Sequence, residues 1–164
     1  MSSRQVFQQF IYINATLAVV DRCITDQILM HQWLNPLLEC QPVGTWDTRV
    51  GGRSQFRIKL PLVQPTLESV VVERKPGLVV WEFDGFFQGR DRWECQVQGA
   101  GTELVNRFEF SIPNPWVERG FNWFAASFTQ ADMKQQLRRL KQVAEREEER
   151  GSFRSRGAFG AGEQ

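Results

Sequence analysis

His31 is the only histidine in the chain, and so the only side chain whose ordinary pKa lies near neutrality, which makes it the natural candidate for a general base. A single histidine excludes any metal site built on two. Its place two residues before Trp33, late in a short apolar segment, equally suits an exposed helix-end residue with no chemical role. Asn106 is the second candidate, a polar side chain in a strand-like run whose same-face neighbours are Leu104, Phe108 and Phe110. Buried without a hydrogen bond it would cost about 1–3 kcal/mol, so a ligand group, Ser127 or a water must meet it.

Paired carboxylates are another source of acid–base chemistry. Glu82 and Asp84 alternate with Trp81 and Phe83, which assigns them to a solvated face. Asp91 lies between Arg90 and Arg92, whose charges are expected to keep it ionised and in water. Cys23, Cys40 and Cys95 are widely spaced with no C-x-x-C, so buried free thiols are expected and neither a zinc site nor a disulfide framework. Gly99-Ala100-Gly101 joins two strand-like runs and does not open a helix, so it is no phosphate loop. No serine or cysteine sits in a nucleophile elbow. No metal and no cofactor are expected.

The elements that must position these residues follow from the spacing of apolar residues and turn formers. Val6 to Asn14 predicts a strand, and Leu17, Val20, Cys23 and Ile24 have helical spacing. Asp26 can cap a second short helix that Pro36 ends. From Val43 to Ile112 the pattern predicts six strands, joined at Gly51-Gly52, Pro76-Gly77 and Gly99 to Gly101 into an antiparallel meander. The stretch 118–145 reads as one long helix, with Phe121, Phe124 and Phe128 on a stripe continued by Met133, Leu137, Leu140 and Ala144. Two regions result: a domain at 1–145, and a charged, disordered tail at 146–164.

In that order these segments resemble the SRPBCC superfamily (START, Bet v 1 and polyketide cyclase-like). Four local pieces carry the resemblance. Ile13-Asn14-Ala15 followed by Val20 is similar to its I-x-A-x-x-x-V-W opening, with Asp21 where an aromatic residue is common. Ile24-Thr25-Asp26 and then Trp33-Leu34 resemble its tD…Wl segment. Gly99 to Leu104 is similar to the G-x-G-T-x-L/V hairpin, and Leu137 to Glu145 to the L-x-x-L-K-x-x-A-E ending of the last helix. The resemblance implies an α+β helix-grip fold. That is a curved antiparallel seven-stranded sheet, two short helices after strand 1, and a long C-terminal helix packed on the sheet. It also implies an apolar molecule held between sheet and last helix.

Strand parity then proposes the wall of such a site. Phe56, Ile58, Trp81 and Phe83 come from the first half of the meander, and Trp93, Val97, Asn106, Phe108 and Phe110 from the second. Phe124, Ser127 and Phe128 would face them from the helix. With 13 Phe and 6 Trp, the same rings could instead fill the space as core.

A net charge of +1, with arginines interleaved among acids, gives no field for nucleic acid. No apolar run is long enough to span a bilayer, and the first residues lack a signal peptide's apolar stretch, so the expected location is the cytoplasm. The leading expectation is non-catalytic binding or transport of a small hydrophobic ligand: a lipid, isoprenoid, pigment or aromatic metabolite. One alternative is a cyclase/dehydratase-like enzyme using His31 or Asn106. The other is an assembly factor touching a protein partner through the tail, the Pro61 to Pro65 loop or the Pro113 to Trp116 loop.

Overall fold

Gly77 and Gly99 adopt φ of 77° and 59°, the left-handed region that glycine enters at no steric cost, and each reverses the chain between two long strands. In the computed structural model, which describes residues 4–59, 61–62, 64–85, 87–114 and 130–159, seven strands and three helices follow one another. They are β1 (Gln5–Ile13), α1 (Leu17–Thr25), α2 (Gln27–Trp33), β2 (Leu38–Pro42), β3 (Arg53–Ile58) and β4 (Thr66–Lys75). Then come β5 (Leu78–Gly85), β6 (Gln88–Gln98), β7 (Gly101–Ser111) and α3 (Gln130–Phe159). The sheet order is β1-β7-β6-β5-β4-β3-β2, antiparallel throughout. This is the helix-grip architecture. A bulge in β4 between Val71 and Glu73 adds twist in mid-sheet, where the strands curl around the helical layer.

The first strand of the meander is Leu38–Pro42, which lies ahead of the expected starting point at Val43. Val43 to Gly52 is loop instead. Trp46 explains the difference, because its indole Nε1 donates 2.8 Å to the Thr25 carbonyl and ties this segment to α1. Asp26 caps α2 as its type predicts, accepting from the Leu29 amide at 3.0 Å. Asp26→Ala is expected to lower stability by about 1 kcal/mol, read as a fall in the thermal midpoint.

The N-terminal half of the expected 118–145 helix, with Phe121, Phe124, Ser127 and Phe128, lies outside the described residues. Its C-terminal half is helical and buries Leu137, Leu140, Val143 and Ala144 against β1, α1 and α2. The helix does not stop at Glu145 but runs to Phe159, through the segment assigned to a tail. Local partners account for the first part of the extension. The amide and hydroxyl of Thr16, at the uncapped start of α1, donate to Glu148 at 2.9 and 3.0 Å, and Arg22 donates to Glu147 at 3.0 Å. The Glu- and Arg-rich composition there favours helix once such anchors exist. Phe153, beyond them, is exposed.

Two hydrophobic clusters result. One lies under the helices and contains Ile13, Val20, Met30, Trp33, Leu104 and Leu140. The other is mainly aromatic, at the far end of the sheet, and contains Ile58, Leu67, Phe83, Phe87, Phe110 and Ile112.

Candidate functional site

Because inward side chains alternate along each strand, the concave face is written in rows across the sheet. Trp81, Asp91, Phe108 and Phe7 are register partners on β5, β6, β7 and β1. Val79, Trp93, Asn106 and Gln9 form the next row, and Ser54, Ser69 and Phe83 belong to a third. Where these rows pass between the two clusters the packing is incomplete, leaving a cavity of about 170 Å³. Phe56, Ile58, Trp81, Phe83 and Trp93 line it, as do Asn106, Phe108 and Phe110. From the helical side Met30, Trp33 and Leu34 contribute, and α3 adds Asp132, Met133 and Gln136. The rings hold one another: Phe83 stacks on Phe108 at 5.3 Å, and Trp33 meets Trp93 at 5.2 Å, tilted by 55°.

Val97 does not belong to this wall. It shares the face of Trp93, but β6 outruns its last pairing with β5 at Leu78↔Glu94, and Val97 is 72% exposed. Parity gives the face of a strand and not how far its cover extends.

Asp91 is the residue that sequence reasoning missed. Its arginine neighbours suggest a place in water, yet it lies on the opposite face from them and lines the cavity. The signal was available, since Asp91 is two residues from Trp93 and must share its face. Trp93 Nε1 donates to one carboxylate oxygen at 2.8 Å, and Asn106 Nδ2 donates to the other at 2.7 Å. Burial pushes the Asp91 carboxyl up from 3.8 to about 6, against these two hydrogen bonds, which pull it down. Asn106 also reaches the Arg92 carbonyl at 3.3 Å, so its polar partners are this carboxylate and that carbonyl. Ser69 is buried with its hydroxyl on the cavity row and without a hydrogen-bond partner.

His31 stands apart. It is exposed, its Nδ1 lies 2.8 Å from the Gln27 carbonyl, and its Nε2 accepts from the Cys40 amide at 3.3 Å. Those bonds fix the Nδ1–H tautomer and join α2 to β2. All three cysteines are free and buried, and burial raises each thiol to about 12, which makes them inert. Among the described residues no cluster of three or more His, Cys, Asp or Glu could hold a metal, and no helix is long and apolar enough to cross a membrane. A wider open groove lies on the convex face, where Arg4 pairs with Glu109, Arg53 with Glu68, and Arg90 with Glu82. It is open to solvent, and its arginines are paired with those acids.

The model of a family described as polyketide cyclase / dehydrase and lipid transport matches residues 4–145. The chain belongs to that family. As a polyketide cyclase/dehydrase and lipid transport family member it falls within the SRPBCC helix-grip superfamily, and solved structures agree on the fold. TTHA0849 from Thermus thermophilus superposes with a TM-score of 0.68 at 16% identity, over 85% of this chain and 97% of that one. SA2116 from Staphylococcus aureus, a protein of unknown function, gives 0.68 at 11% identity, over 89% and 96%. Ara h 8.0201 gives 0.60 at 9% identity, over 87% and 96%. No curated protein sequence matches the chain. In this family member the helix-grip leaves its cavity between the sheet and the last helix.

Proposed function

We propose that this protein binds a small hydrophobic ligand, without transforming it, in the cavity between the concave sheet face and α3. The observation that carries the reading is the unfilled space itself, walled by Phe56, Trp81, Phe83, Trp93 and Phe108 at the junction of both clusters. A family whose description includes lipid transport supports it. The volume narrows the ligand: about 170 Å³ is below the roughly 300–1,000 Å³ of drug-sized sites. It is close to the ~150 Å³ of an apolar cavity that admits benzene. A single ring with a short arm fits better than a long acyl chain or a polycyclic pigment.

The test is to extract purified full-length protein into organic solvent and identify what it carries, then to titrate it with toluene or a similar ring compound. Met133→Trp, which brings an indole into the cavity from the helix side, is expected to reduce uptake at least tenfold while the far-ultraviolet circular dichroism stays unchanged. Equal uptake by the variant and the parent protein would place the ligand elsewhere.

A second reading, acid–base chemistry of the cyclase/dehydratase kind, is favoured by one observation. A carboxyl brought to about 6 on the wall of the cavity is poised to give and take protons at working pH. On this reading Asp91 moves the proton, while Asn106 and Trp93 orient it. Turnover of a bound polyketide-like substrate that survives Asp91→Asn would dismiss it.

A further inference from the structure

Among the described residues, Asp91 is an acid with two neutral hydrogen-bond donors and no counterion. Trp93 and Asn106 each occupy one carboxylate oxygen, whereas two such oxygens offer about four acceptor sites. Among the described residues, the lining contains no Lys, Arg or His. Its other charged group is a second carboxylate, Asp132, entering from the first turn of α3. His31 on α2 is turned away, engaged with Gln27 and Cys40. The described lining is therefore aromatic and electronegative, with no cation in it.

From this geometry we infer that the preferred ligand of the cavity is a small amine, its protonated nitrogen on the Asp91 carboxylate and its ring or short chain among the aromatic walls. The inference rests on the cavity being the binding site, and it names the class of molecule the site takes. Three observations converge on it. Trp81 and Phe108 flank Asp91 in register, so ring-bearing residues adjoin the position a cation would take beside the carboxylate. Ser69, 3% exposed, has a hydroxyl on the same wall with no partner, two strands and one row from Asp91, where it can meet a second polar group of the ligand. The same lining repels anions: a fatty-acid carboxylate would meet Asp91 and Asp132 with no described cation to receive it.

Proton linkage supplies a signature that a neutral ligand lacks. The cation binds the ionised carboxylate, so affinity should rise with pH as Asp91 loses its proton. From pH 5 to pH 7.5, across a pKa of about 6, the gain is about tenfold. A hydroxyl ligand of the same shape binds the protonated acid as readily and gains nothing.

The experiment is isothermal titration of the full chain with benzylamine, benzyl alcohol and benzoate at pH 5 and 7.5, repeated with Asp91→Asn. Benzylamine should bind at least tenfold more tightly than benzyl alcohol at pH 7.5 and weaken about tenfold at pH 5, and benzoate should show no heat. Asp91→Asn should abolish the preference for the amine while benzyl alcohol still binds. If that variant does not fold, the pH profile of the unaltered protein decides alone. Benzyl alcohol binding with benzylamine no tighter, or a flat amine profile, overturns the inference and leaves the cavity in place as a site. Failure of both the amine and the alcohol to bind removes the site itself, and the inference with it.

Discussion

Trp33→Ala is expected to lower the folding stability by about 3–5 kcal/mol, the range measured when a buried Phe or Trp is cut back to Ala. Trp33 closes α2, is 2% exposed, packs against Trp93, and donates from Nε1 to the Cys23 carbonyl at 2.8 Å. The substitution empties an indole's volume at the place where α1, α2 and the sheet meet, and leaves a buried carbonyl at the end of α1 without that donor. Because domains of this kind have only about 5–15 kcal/mol in total, the loss is a large fraction of the whole. At roughly 2–4 °C per kcal/mol for chains of this size, the midpoint should fall by about 6–20 °C. Trp33→Phe separates the two contributions. It keeps most of the ring and loses the donor, so it should cost about 1–3 kcal/mol. Urea unfolding with an unchanged m-value is the measurement. A loss below about 1 kcal/mol for the Ala variant would mean that the helical pair is not fastened to the sheet through this residue.

Trp33 also shows what could be read from the chain beforehand and what could not. The short helix that carries it was legible, capped by Asp26 and ended at Leu34 before Pro36. The meander was legible because its turns are marked by glycines in conformations that other residues avoid. The strand Leu38–Pro42 was harder, since five residues containing a proline carry little alternation and their role is fixed by β3 beside them. Rings on the cavity wall follow from parity alone. The failures lie where a longer-range fact decides. Val97 has the correct parity, but among the described residues no strand or helix extends over it. The charges beside Asp91 in the sequence point to water, although in a strand those neighbours face the other side of the sheet. The helix beyond Glu145 depends on Thr16 and Arg22, more than a hundred residues away, receiving Glu148 and Glu147.

The same carboxylate gives the second large effect, a dependence of stability on pH with a sign opposite to that of most native acids. The unfolded chain releases the Asp91 proton near 3.8, and the folded protein holds it to about 6. Between those values the native state binds more protons than the unfolded state, so this group's contribution falls as pH rises and reaches its full cost above about 6. Two units correspond to about 3 kcal/mol. Glu39 and Asp47 are shifted downward by their own partners, and each therefore adds stability as pH rises, which masks the effect in a single profile. Comparison with Asp91→Asn removes that mask because both proteins share them. The asparagine offers one acceptor oxygen to two donors, Trp93 and Asn106, an offset of about 1–3 kcal/mol that does not titrate. The stability of the variant minus that of the parent protein should therefore climb by about 3 kcal/mol from pH 3.5 to 7.5, with the rise between about 4 and 6. Saturating benzylamine, if it supplies the missing counterion, should flatten the rise, since the ionised carboxylate then has its partner. A difference that stays constant over the whole range without ligand would mean that the carboxyl is as well solvated in the folded protein as in the unfolded chain. In that case the apolar setting of the cavity would not act on Asp91 at all.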